Sequence, residues 1–139
     1  MARALRPGDV VALAGDLGAG KTTFARALIA AFAAEAGQPA PEVPSPTFTL
    51  VQTYEFARAT IWHFDLYRIE RPDDALELGI EEAFAGGIAL IEWPERLGPL
   101  LPARRIEVRL AFGAAPDARR IEIAAPAGAA GRFAAAFAA

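Results

Sequence analysis

Along the chain, short apolar runs alternate with polar stretches punctuated by glycine and proline. Asp9–Ala14 is a continuous apolar run with β-branched residues, which predicts a buried strand. Phe24, Leu28 and Phe32 then recur every four residues, predicting a helix with one apolar face. That helix should stop near Gly37, because Pro39 and Pro41 follow. Prolines 39, 41, 44 and 46 mark a long loop. Thr47–Phe56 and Thr60–Tyr67 are β-rich and closely spaced, predicting a hairpin. Arg71-Pro72-Asp73-Asp74 predicts a helix start, with Glu77–Phe84 continuing helically. Ile88–Ile91 predicts a buried strand closed by Glu92, and Arg105–Ala111 and Arg120–Ala124 alternate as a final pair of strands. Phe133 and Phe137, within the alanine-rich residues 129–139, predict a short terminal helix packed on the sheet. The expected fold class is α/β, a three-layer domain around a mixed β-sheet.

Composition narrows the picture. A chain of 139 residues predicts one domain over 1–139, which buries about two-thirds of its unfolded surface. Cysteine is absent, excluding disulfides and thiolate metal sites. The apolar run Ala27–Ala34 is far too short to span a membrane, and MARALRPGD lacks the apolar core of a signal peptide. A cytoplasmic protein without a membrane partner is the simplest expectation. A formal charge of −3 argues against nucleic-acid binding by bulk electrostatics. The charge is uneven, with nine acids against two arginines over residues 65–95 and seven arginines against three acids over 96–132. Solvated faces or a docking surface both account for this.

The chemistry concentrates in GDLGAGKTT, residues 15–23. Lys21 is the only lysine in a chain with thirteen arginines. Gly15, Gly20, Lys21 and Thr22 fit G-x-x-x-x-G-K-[ST], the phosphate-binding P-loop, or Walker A, pattern. Its backbone N–H groups converge on nucleotide phosphates, and glycines let the main chain approach an anion closely. A flexible ammonium reaches the β- and γ-phosphates where a planar guanidinium fits less well. The Thr22 hydroxyl is the expected ligand of the magnesium ion that bridges those phosphates. A strand before the loop and a helix after it supply the required setting, with the helix N-terminus adding partial positive charge.

Phosphoryl transfer also needs a carboxylate near the metal and a group that positions the nucleophile. Asp65 and Glu92 each close an apolar strand, where ligands of α/β sheets bind, although a plain strand-end acid reads the same way. Thr47 opens the expected hairpin after a proline-stiffened loop. Its order relative to Asp65 matches the metal-sensing threonine and following aspartate of small GTPases, and a strand-capping hydroxyl accounts for it equally. His63 shares strand parity with Asp65 and reads more simply as a packed or hydrogen-bonded residue. Trp93, after Glu92, suits core, a stacking surface or a partner anchor. The guanine-reading N-K-x-D motif needs a second lysine, so ATP is favoured over GTP.

GDLGAGKTTFAR, SPTFTLVQTYE, HFDLYRI, ELGIEEAF and IEWPERL occur in the order of the TsaE (YjeE) proteins, bacterial ATPases of tRNA threonylcarbamoyladenosine synthesis. The chain resembles that family over roughly residues 7 to 124. The first block is common to many ATPases, whereas the others together are specific. The resemblance implies a P-loop NTPase-like fold and an ATPase that is weak alone and acts with TsaB and TsaD. TsaD transfers the threonylcarbamoyl group beside the tRNA anticodon, so tRNA is engaged through the complex, and ATP turnover resets the partners. By position, the loop Gly15, Asp16, Leu17, Gly18, Ala19, Gly20, Lys21, Thr22 and Thr23 would hold ATP, and Thr22 with Glu92 would bind Mg2+. Lys21, Asp65 and Thr47 would serve catalysis, with Asp65 assisting metal or water. Trp93 would lie beside the nucleotide and Arg120 would approach it. The resemblance also implies an N-terminus shorter than the family's. Two other classes fit the motif itself: a small-molecule P-loop kinase and a non-hydrolysing nucleotide-binding adaptor.

Overall fold

The structure, a computed structural model, describes residues 2–46, 48–126 and 131–132. Its centre is set by two strands that have almost nothing polar to show water. β1 (Val10–Ala14) and β4 (Ile88–Glu92) are buried nearly throughout, as strands covered on both faces must be. They pair in parallel, with Leu13 opposite Glu92. β3 (Thr60–Asp65) lies parallel on the far side of β4, and β5 (Ile106–Phe112) lies parallel on the far side of β1. An antiparallel strand closes each edge: β2 (Val51–Glu55) on β3 and β6 (Arg119–Ala124) on β5. The six strands run in the order β2-β3-β4-β1-β5-β6.

Period-2 alternation sorts the apolar side chains into two layers. Val11, Leu13, Ile61, Ile88, Leu90, Ile106 and Val108 face α1 (Lys21–Glu35), meeting Ala25, Leu28, Ile29 and Phe32. Val10, Phe64, Ala89 and Ile91 face the other side, against Leu66, Ile69, Ala75, Ile80, Ala83 and Leu97. The second cover comes from α2 (Ile80–Gly86) and two 3-10 segments, Pro72–Leu78 and Pro94–Leu100. The result is the expected three-layer α/β architecture with a mixed sheet.

Element boundaries depart from the sequence pattern in a few places. Residues 72–86 are not one continuous helix. Gly79 breaks it at φ 85, and a Cβ there would come within 3.0 Å of the Trp62 ring. β2 begins only at Val51, because Leu50 takes φ 68 and donates its N–H to Pro46 O at 2.7 Å. The 3-10 turns Ala2–Ala4 and Pro94–Leu100 carry no period that the sequence reading detects. The terminal helix expected over 129–139 falls outside the described residues, apart from Gly131 and Arg132. Arg132 reaches the residue before β1, donating to both Asp9 carboxylate oxygens at 3.0 Å. Among the described residues, no helix is long and apolar enough to cross a membrane.

Candidate functional site

The turn after β1 is forced by backbone geometry. Gly15 has φ 153, and a Cβ there would sit 2.5 Å from Leu110 O on the neighbouring β5. Gly20 takes φ 106 and opens α1 with no side-chain cap. The first N–H groups of that helix therefore face the loop rather than a capping hydroxyl, the arrangement that suits an anion. Ala19 N–H donates back to Asp16 O at 3.0 Å, keeping the turn tight.

Lys21 lies inside this turn, only 5% exposed. Its Nζ donates to Gly15 O at 2.6 Å and Asp16 O at 2.9 Å, and lies 3.9 Å from the centre of the Trp93 ring. Burial pushes the ammonium below the usual lysine range, against the opposing pull of Glu92, Glu95, Asp16 and Asp65. Trp93 adopts φ 61 and ψ 52, left-handed backbone that bulky residues rarely take. That turn, directly after Glu92, brings the indole to Lys21, and the Tyr67 ring packs against the indole with centres 4.9 Å apart.

The two strand-end carboxylates become neighbours through register. Asp65 stands opposite Glu92 where β3 and β4 run parallel, and both belong to the α1-facing parity. Glu92 is 3% exposed, and it accepts from the Thr22 hydroxyl at 2.8 and 3.0 Å. His63, wholly buried, stands two residues further back on β3, its Nε2 2.6 Å from Glu92 Oε2. Asp65 is 6% exposed, and its Oδ1 accepts the Tyr67 N–H at 3.0 Å.

Lys21, Thr22, Asp65, Glu92 and Trp93 line one cleft of about 280 Å3, together with Leu17, Gly18, Gly20, Thr23 and Ser45. Gly15 and Asp16 contribute carbonyls to Lys21, and Ala19 is buried beneath the turn. Arg120 is exposed on β6 opposite Ala111, at the same end of the sheet but outside the cleft lining. Thr47 lies outside the described residues. Ser45 and Tyr67 are not among the expected site residues: SPTFTLVQTYE and HFDLYRI contain them, but no local chemistry singles them out there. His63 carried one signal, its shared parity with Asp65.

The cleft fits a hard cation. Thr22, Glu92 and Asp65 offer only oxygen donors, and Glu92 already meets the Thr22 hydroxyl that the P-loop pattern assigns to magnesium. Among the described residues no three His, Cys, Asp or Glu side chains form a cage. Magnesium does not require one, because it usually takes phosphate oxygens and waters for much of its shell.

The loop, the buried lysine and the paired strand ends are those of a nucleotide-binding P-loop fold. The family model described as "Threonylcarbamoyl adenosine biosynthesis protein TsaE" matches residues 1–121. The chain belongs to the TsaE family. The tRNA threonylcarbamoyladenosine biosynthesis protein TsaE of Rickettsia felis is 48% identical over 110 residues, covering 79% of this chain and 62% of that protein. Its Bacillus subtilis counterpart is 40% identical over 104 residues, covering 74% and 61%. The matched part thus spans under two-thirds of the length of these relatives. The crystal structure of Bacillus subtilis YdiB superposes with a TM-score of 0.71 at 30% identity, covering 96% of this chain and 80% of that one. The TsaE family and its P-loop NTPase-like fold are consistent with the geometry built above.

Proposed function

We propose that this chain is a single-domain, magnesium-dependent ATPase of the bacterial system that makes threonylcarbamoyladenosine next to the tRNA anticodon. It acts in the cytoplasm with TsaB and TsaD and meets tRNA through that complex. Its turnover is slow alone, is raised by the partners, and resets them between cycles. The observation that carries the reading is the Thr22–Glu92 contact, which joins the phosphate loop to the end of β4 beside Asp65.

The residues divide the work. Lys21 leaves the Gly15 and Asp16 carbonyls to meet the β- and γ-phosphates, and the α1 N-terminus holds the phosphate oxygens. The Thr22 hydroxyl has two lone pairs and one hydrogen, so it can ligate a cation while still donating to Glu92. Bound magnesium would supply charge stabilisation for the transferring phosphoryl group. Asp65, whose neighbour Glu92 is already engaged by Thr22 and His63, is the carboxylate best placed to orient the attacking water. Thr47, at the loop before β2, senses the γ-phosphate. Trp93 flanks the bound phosphates, and Arg120 approaches the nucleotide from the basic edge of the sheet.

Phosphate release from ATP tests this directly. The protein is assayed alone and with cognate TsaB and TsaD, each time beside Lys21→Ala. Turnover should rise only with both partners and vanish in the variant, whose melting curve should still show a folded domain. Transfer of phosphate to a metabolite with little free phosphate would instead favour the kinase reading. Binding without any turnover would favour the adaptor.

A further inference from the structure

Short of the Asp65–Glu92 strand ends, the α1-facing positions of β1, β3 and β4 are apolar except at His63. His63 follows Ile61 on that face of β3 and pairs in register with Leu90. A leucine would pack there without polar cost, whereas an imidazole buried to 0% exposure needs a partner. Its hydrogen-bond partner is Glu92 Oε2, at 2.6 Å. The other ring nitrogen, Nδ1, is buried with no partner among the described residues.

Those two facts favour one tautomer. An ionised carboxylate only accepts, so Nε2 must carry the hydrogen that it donates. Nδ1 then holds a lone pair and no N–H is orphaned. The opposite tautomer would bury an unpaired N–H and turn a lone pair towards the carboxylate.

We propose that His63 is the positioning residue of the magnesium-binding carboxylate: its Nε2–H holds Glu92 Oε2 from beneath, so that the carboxylate already faces Thr22 and the cleft before nucleotide arrives. The inference rests on the nucleotide reading above. Glu92 has a flexible stem, and Thr22 alone would hold it by a hydroxyl that also has to meet the cation. The buried imidazole removes that competition, because it sits on the sheet and does not line the cleft. Hydrogen-bonded neighbours that orient a metal ligand in this way typically govern about 10- to 100-fold in metal affinity.

The test separates this role from simple packing. ADP binding is measured by calorimetry with EDTA and across a magnesium titration, for wild type, His63→Leu and His63→Gln. The leucine variant should bind ADP normally in EDTA yet need about tenfold or more magnesium for the same enhancement. The glutamine variant, whose amide keeps an N–H near the same place, should recover most of that loss. Unchanged magnesium dependence in His63→Leu overturns the inference, as does a glutamine variant no better than leucine. Wild type that binds no ADP overturns the nucleotide reading itself, and the inference with it. If His63→Leu does not fold, the wild type decides. His63 is the only histidine, so a 15N-labelled imidazole gives the spectrum of one ring. Its Nε2 should carry the hydrogen, and its signals should shift when magnesium joins bound ADP. An Nδ1–H tautomer, or a ring that ignores magnesium, overturns the inference.

Discussion

Lys21 is held where the unliganded fold would be better off with a neutral side chain. Burial lowers its pKa in the folded state, so it sheds its proton at a lower pH than in the unfolded chain. In the window below the ordinary lysine value the unfolded chain binds more protons, and stability therefore rises with pH there. Lys21→Met lacks this dependence. The difference in melting temperature, wild type minus variant, should grow as pH is raised from 8 to 10, and a flat or falling difference would contradict the burial argument. On the proposed function, a bound phosphate would reverse the balance by giving the ammonium an anion to face. The lysine and its glycines were legible in the sequence because their roles are dictated by local backbone, as the close approach of Leu110 O to Gly15 illustrates. The Glu92 junction was only half legible. Each carboxylate could be named from its strand end, but the contacts of Glu92 with Thr22 and His63 depend on how β4 pairs with β1 and β3, which no local pattern encodes. Ser45, exposed in the proline-rich loop, opens the SPTFTLVQTYE block, but nothing local marks it as a cleft residue.

At the scale of elements, α1 was legible because its burial follows the helical period that the sequence displays. Leu28 and Phe32 are buried as expected, and Phe24 packs at the margin. Phe32 is wholly buried, 5.2 Å from the Phe56 ring, with the Arg58 guanidinium 4.1 Å over its face. Phe32→Ala should cost about 3–5 kcal/mol. Urea unfolding should show this as a lower midpoint with an unchanged slope. A much smaller loss would mean that α1 is anchored chiefly by the loop and not by its apolar face. The second helical region was misread for a reason that local pattern hides. Gly79 looks like a tolerable helix interior until Trp62, from β3, occupies the space beside it.

At the scale of the whole molecule, the strand order was the least legible feature, because the chain inserts α1, a hairpin and α2 between β1 and its partner β4. That order brings the phosphate loop and both carboxylates to one end of the sheet. Binding there should stabilise every layer together. ADP with magnesium at about 100 times its dissociation constant should add about 2.7 kcal/mol. A thermal melt should record a clear upward shift in wild type and none in Lys21→Ala. The Thr22–Glu92 contact joins residues 70 apart in sequence, and this has a consequence for the protein's synthesis. A chain leaving the ribosome exposes its complete phosphate loop long before β4 exists to face it. Until then β1 lacks its β4 neighbour, and the carboxylate that answers Thr22 has not been made. On the proposed function, nucleotide with magnesium would reward only a sheet in which β4 has joined β1, so that in the cell its tight capture would report that this chain has been both translated past Glu92 and folded.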